Sequence, residues 1–427
     1  MAAIKETAER LWRGELTTRE QHPFTATGEL EEIAPKVAFC RWLANFAVCK
    51  TDEGLVLIDC GSYLNQDQTL ALVRTYSTAR IHTVICTHGH LDHAGGMGPI
   101  AAEAGRNRVA RPRVVGHRAI AERFDRYRRS ADYNRRVDEL VFGGGAAFPA
   151  EFVYPDTYFD HQLNVVAGAE KFQCHHARGE TDDHCWVYIP SVKVLCTGDF
   201  FIWAAPSAGH PLKAQRNARD WAEALRAMAK VGAEVLLPGH GSPIFGAIRV
   251  RQALNDTAEY LTQIHDQALA LINQGATLDD VAHGVKPPAA LAEKPYLAPL
   301  FDEPEFAARN VWRVNCGWYD GVPAHLKPAP LAEQASEIAQ LAGGFERLVE
   351  RALIKMEQGS LPMACHLIEW AAAAAPNEKS VHAARARIYA ARAAESTSTL
   401  SYRIFNAAAM ESAIKAGVTL PPDDRRF

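Results

Sequence analysis

Between about residues 28 and 60, short apolar runs are broken by turn residues. Residues 37–40, 45–50 and 55–59 read as successive strands of a meander, with Thr51-Asp52-Glu53-Gly54 turning between the last two. Ile58-Asp59-Cys60-Gly61 closes a buried strand at a glycine. A helix is predicted over about 66–78, then an apolar strand at 83–86 that runs directly into a histidine-rich segment. Strand-like and helical stretches then alternate, with strands expected at 187–189, 192–196 and 235–237. This order of elements predicts an α/β domain of stacked layers. Beyond about residue 330 the stretches 331–342, 345–358, 361–375 and 378–394 are Ala-rich and helix-periodic. Gly343-Gly344, Gly359-Ser360 and Pro376-Asn377 stop them. We expect an α/β domain over 1–300, a linker over 301–330 and an all-helical domain over 331–427.

Composition agrees with this picture. A chain of 427 residues suits two domains, and 48% apolar with 22% charged residues is a soluble globular mixture. The net charge of −4 gives no reason to expect a nucleic-acid or membrane partner, and no apolar run is long enough to span a bilayer. The segment Met1-Ala2-Ala3-Ile4-Lys5-Glu6 lacks a signal-peptide pattern, so a cytoplasmic protein is expected. Nine scattered cysteines without a CxxC pair support neither a disulfide framework nor a thiolate zinc site. Residues 106–136 contain Arg123, Arg126, Arg128, Arg129 and Arg135, but Glu122, Asp125 and Asp132 interleave with them. That stretch reads as a solvated helix face.

The chemistry is concentrated in Thr87-His88-Gly89-His90-Leu91-Asp92-His93. Two histidines one residue apart, on a loop leaving a strand, can both turn toward one cation. Asp92 and His93 can face a second cation beside it. Three histidines and an aspartate within six positions, followed by Gly95-Gly96, are not the pattern of an ordinary surface loop.

The segment resembles the HxHxDH signature of the metallo-β-lactamase superfamily, which implies an αββα sandwich, here followed by the helical C-terminal domain. That family draws later ligands from three further places. Ala177-Arg178-Gly179-Glu180-Thr181 resembles its Gly-His-Thr segment with Glu180 in place of histidine. Cys196-Thr197-Gly198-Asp199 supplies the bridging aspartate, and Leu237-Pro238-Gly239-His240-Gly241 the last histidine. The resemblance implies that His88, His90 and Glu180 bind one metal, that Asp92, His93 and His240 bind the other, and that Asp199 bridges them. His184 competes with Glu180 and is read as orienting a ligand or substrate. A third carboxylate hardens the ligand set, so two divalent ions are expected, zinc first, with iron and manganese open. Catalysis is expected from a metal-bound hydroxide, with Asp92 or Asp199 taking or orienting the proton.

A glutamate at this position is shared by two branches, the alkylsulfatases and a group of di-iron oxygenases. Cys316-Gly317-Trp318-Tyr319-Asp320-Gly321-Val322-Pro323-Ala324-His325-Leu326 is similar to an alkylsulfatase stretch, and the helices after it to the dimerisation domain of those enzymes. The resemblance implies an ester hydrolase (sulfate ester, lactone or related) acting on a small molecule as a homodimer, with a di-iron oxygenase as the alternative. There are departures. Those sulfatases continue into a sterol-carrier-like domain beyond the point where this sequence stops. They carry glutamate at the Asp199 position, and their Asn-x-Tyr-x-x-Arg sulfate-binding segment has no counterpart here. Lys213 and Arg216 in the corresponding stretch can bind an anionic group, although an exposed helix start has the same appearance.

Overall fold

The computed structural model of the protein describes residues 4–142, 148–214 and 216–421. Two compact units divide it: Met1–Arg135 with Ala146–Gly317, and Arg136–Gly145 with Trp318–Phe427.

Alternation along the meander decides the architecture of the first unit. In the strand Gly54–Ile58, Val56 and Ile58 join one apolar core while Leu55 and Leu57 join another. A strand buried on both faces needs a layer on each side. Strands β1 (Glu29–Ala34), β2 (Val37–Arg41), β3 (Phe46–Thr51), β4 (Gly54–Ile58), β5 (Ile81–Ile85), β6 (Arg113–His117) and β7 (Thr157–Phe159) form one sheet in that order. Strands β8 (Gln162–Ala167), β9 (Glu170–His176), β10 (Cys185–Ile189), β11 (Val194–Ile202), β12 (Val235–His240) and β13 (Ile244–Phe245) form a second, in the reverse order. Phe39, Val56, Ile85 and Val115 of the first sheet meet Phe172, Val187, Val194 and Leu237 of the second in the central core. Each such side chain contributes about 1.5–3 kcal/mol by burial.

The outer faces are covered by helices. Phe46, Leu57 and Val84 pack with Leu70, Ile100 and Phe124, which belong to the helices Gln66–Tyr76, Met97–Arg106 and Ala119–Arg129. Leu195 and Leu236 pack with Trp221, Leu254 and Val311, from the helices Ala218–Met228, Ala247–Asn273 and Pro304–Cys316. The result is the expected αββα sandwich. The linker expected over 301–330 is corrected in its first half. Pro304–Cys316 is a helix whose Ala307, Ala308, Val311 and Trp312 are buried in the outer core.

In the second unit the helices Leu331–Ala342, Phe345–Glu357, Leu361–Ala374, Lys379–Glu395 and Thr399–Ala416 follow one another. Alanines such as Ala352, Ala364 and Ala371 are buried with Leu348, Ile368 and Ile388, since small residues let helices approach closely. Gly343 adopts φ 86°, the left-handed helix cap that its sequence position predicts. The last of these helices falls within the all-helical stretch expected over 331–427, and the Ser398 side chain accepts from the Ser401 amide at its start. Among the described residues no helix is long and apolar enough to cross a membrane.

Candidate metal centre

Parallel pairing places the functional segments at one end of the sandwich. Ile58 of β4 pairs with Ile85 of β5, so Asp59 and the histidine-rich loop leave the sheet together. In the second sheet Gly198 of β11 pairs with Pro238 of β12, which sets Asp199 beside His240. Asn45 joins the two sheets: its side-chain amide donates to Pro238 O (3.0 Å) and Gly241 O (2.9 Å).

Asp59 organises the loop. It has φ 62°, a left-handed conformation that costs a non-glycine residue about 1–3 kcal/mol. Its Oδ1 accepts from the Thr87 amide at 2.7 Å and its Oδ2 from the Thr87 hydroxyl at 2.8 Å. The same Oδ2 lies 2.9 Å from His93 Nδ1, which leaves His93 Nε2 for the site. Asp92 and His93 stand on the short helix Leu91–Ala94, and the Cys60 amide donates to His93 O. Sequence reasoning did not assign Asp59 a role, although an acidic residue closing the run Leu55-Val56-Leu57-Ile58 was the available signal.

The seven residues expected as ligands do come together. Donor atoms of His88, His90, Glu180 and Asp199 lie within 4.8 Å of one another, as do those of Asp92, His93 and His240. Asp199 reaches both groups: Oδ1 is 3.1 Å from His93 Nε2, and Oδ2 is 3.4 Å from His240 Nε2 and 4.0 Å from His88 Nε2. Glu180 Oε2 is 3.1 Å from His90 Nδ1 and 3.5 Å from His88 Nε2. Both Glu180 Oε2 and Asp199 Oδ1 are buried without an aligned hydrogen-bond donor. Lone pairs crowded in this way repel one another unless protons or cations stand among them. Imidazole and carboxylate donors suit divalent ions, so the residues fit the metals that the fold implies.

The electrostatics point the same way. Burial holds His88 well below the usual histidine range, with His184, His93 and His90 adding to the effect, so its ring is neutral and able to ligate. Burial disfavours ionised Asp199, but His240 and His93 outweigh it and hold the carboxyl well below the usual range. Glu180 is likewise held down against its burial, first by Arg216 and then by His90.

A cavity of about 560 Å³ opens on His90 and Glu180 and is lined also by Arg126, Tyr133, Lys213 and Arg313. Lys213 therefore stands on the cavity wall. Arg216 borders the cavity, but its side chain is only 3% exposed and its Nη1 lies 2.6 Å from Glu180 Oε1. His184 departs from the substrate-facing expectation. It is fully buried, stacks on His88 at 4.2 Å between ring centroids, and is absent from the cavity wall. The arginine-rich face is corrected at one position. Arg123 is buried, pairs with Asp182, and donates from Nε to Asp183 Oδ2 at 2.7 Å. Asp183 Oδ2 also accepts from the Gly89 amide (3.1 Å) and its Oδ1 from the Thr181 hydroxyl (2.5 Å), so one carboxylate ties both ligand loops to the helix Ala119–Arg129.

Comparison with known proteins matches two parts of the chain, the second of which begins inside the first compact unit. Residues 42–240 match the model of the metallo-beta-lactamase superfamily, and residues 277–414 that of alkyl sulfatase dimerisation. A linear primary-alkylsulfatase of a Pseudomonas strain is 26% identical over 364 residues, covering 79% of this chain and 68% of that protein. An (R)-specific secondary-alkylsulfatase of Pseudomonas is 29% identical over 393 residues, covering 84% of this chain and 58% of that protein. The solved structure of Pisa1, a stereoselective inverting sec-alkylsulfatase from Pseudomonas, superposes with a TM-score of 0.82 at 25% identity, over 92% of this chain and 66% of that one. The chain thus spans 58–68% of the length of these relatives.

Proposed function

We propose that this chain, whose residues 42–240 belong to the metallo-β-lactamase superfamily and whose residues 277–414 resemble the alkylsulfatase dimerisation module, hydrolyses a sulfate ester at a site for two divalent metals. The observation that carries the reading is Asp199, within 4.0 Å of ligand nitrogens on His88, His93 and His240 and so able to serve both donor groups. His88, His90 and Glu180 would hold one ion, Asp92, His93 and His240 the other, with Asp199 between them.

When bound, such a pair supplies Lewis acidity that lowers the pKa of water and polarises the ester. The protein does the rest. Asp59 fixes His93 in the ring orientation that ligation needs. Arg126, Lys213 and Arg313 give the cavity a cationic wall suited to a sulfate group. Asp92, with 29% of its side chain exposed against 9% for Asp199, is the carboxylate open to water and is placed to take or orient a proton. Zinc is the default metal, and the carboxylate-rich set also accommodates iron or manganese.

The exposed Leu331 (63%), Leu341 (81%) and Ile414 (78%) of the helical unit support pairing of two copies. Nine unpaired cysteines support a reducing, cytoplasmic setting.

Metal analysis of the purified protein, followed by assays on alkyl sulfates, lactones and β-lactams, tests the reading. Release of inorganic sulfate by protein holding two metals is expected. Turnover of lactone or β-lactam alone overturns the sulfatase reading. Glu180 also favours a second reading, the di-iron oxygenase, which would show as bound iron with O2 consumption under reductant.

A further inference from the structure

We infer that Arg216 is a positioning residue matched to Glu180: it occupies one carboxylate oxygen, presents the other to the metal site, and offsets the charge that a glutamate adds there. The inference rests on the metal reading above.

The carboxylate is divided between two tasks. Arg216 Nη1 lies 2.6 Å from Glu180 Oε1, whereas Oε2 faces His90 Nδ1 at 3.1 Å and His88 Nε2 at 3.5 Å. Both side chains are buried, at 3% and 6% exposure, so water screens the pair poorly. A carboxylate with one oxygen committed to a guanidinium offers a metal a single oxygen in a fixed direction.

The position of Arg216 is itself held from several sides. Asn310, on the helix Pro304–Cys316, donates from its side-chain amide to Arg216 O at 2.6 Å and to Ala208 O at 2.9 Å. Its Oδ1 accepts from the Arg216 amide at 3.4 Å, and Arg216 Nη1 also donates to Ser207 O. The guanidinium is therefore delivered to Glu180 by buried backbone, which an exposed arginine caught in one rotamer would not require.

Charge explains why the two residues go together. With Asp92 and Asp199, Glu180 makes three carboxylates around four histidines. A buried charge is tolerated only when paired, and removing one partner strands the other. A neutral histidine at position 180 would leave Arg216 buried without its nearest counter-charge, with only the more distant Asp302 carboxyl to offset it, beside metal ions that repel it. Arg216 should thus strengthen metal binding when residue 180 is glutamate and weaken it when residue 180 is histidine.

A double-mutant cycle tests this with zinc, read as metal per chain by elemental analysis and as affinity by competition with a chromophoric chelator. The proteins are wild type, Arg216→Met, Glu180→His and the double variant. In the wild-type background, Arg216→Met should weaken the looser zinc about 10–100-fold. In the Glu180→His background, the same change should leave binding equal or tighter. Equal losses in both backgrounds would reduce Arg216 to general scaffolding and overturn the inference, as would an unchanged affinity in the first. Arg216→Lys, which keeps a cation and is the milder change should the Met variant not fold, should lose less than about tenfold. A larger loss for Lys also overturns the inference. Wild-type protein that holds no metal would overturn the metal reading and this inference with it, whereas failure of the cycle in metal-holding protein touches Arg216 alone.

Discussion

Asp59→Asn isolates what one buried carboxylate does for the candidate metal centre. Asp59 receives two Thr87 donors at 2.7 and 2.8 Å and stands 2.9 Å from His93 Nδ1. An asparagine has the same shape but only one carbonyl oxygen. If that oxygen serves the Thr87 amide, the new NH2 group faces the Thr87 hydroxyl and His93. The hydroxyl can rotate to accept. His93 can accept at Nδ1 only by moving its proton to Nε2, the nitrogen 3.1 Å from Asp199 Oδ1 and expected to ligate. Losing one hydrogen bond to a charged acceptor costs about 1.5–3 kcal/mol, a visible share of a total stability of about 5–15 kcal/mol. Loss of the carboxylate behind a ligating histidine lowers metal affinity about 10–100-fold. Urea unfolding of metal-free protein reads the first quantity, and chelator competition on folded protein reads the second. Wild-type zinc affinity in folded Asp59→Asn would refute the role assigned to this carboxylate.

Three further outcomes follow from the same geometry. Arg123→Met strands Asp183, whose side chain is wholly buried, and should cost about 3–5 kcal/mol in urea unfolding; a loss below about 1 kcal/mol would contradict the pairing. Gly239→Ala should abolish metal binding, because a Cβ there would collide with Asp199 Oδ1 and lie 2.7 Å from the Gly198 carbonyl carbon; an unaltered metal content would contradict this. Burial raises the Asp302 carboxyl to about 6, against about 3.9 in an unfolded chain, so the native state binds its proton more tightly. Roughly 3 kcal/mol of stability present below pH 4 should therefore be lost as pH rises through 6. Urea unfolding at pH 4, 5, 6 and 7 should show wild type falling relative to Asp302→Asn over that window, and parallel curves would refute it.

Much of the protein is legible in its order of residues, and the reason is locality. The meander strands, the helix after them and the Ala-rich C-terminal helices are written in apolar periodicity and in Gly or Pro stops, each acting over a few positions. The histidine-rich segment is equally local, since four ligand-type side chains lie within six residues on one loop leaving β5. Glu180, Asp199 and His240 were reached only by resemblance, because nothing short-range links them to the histidine-rich segment or to one another. Tertiary structure decided what pairing across the sandwich decides. Parallel registers β4–β5 and β11–β12 bring Asp59 to His93 and Asp199 to His240. Folding also moved Arg123 and Arg216 from the surface that their charge suggests into buried pairs with Asp183 and Glu180. A charged residue's place depends on the partner that folding brings to it, and that partner is not among its neighbours in sequence.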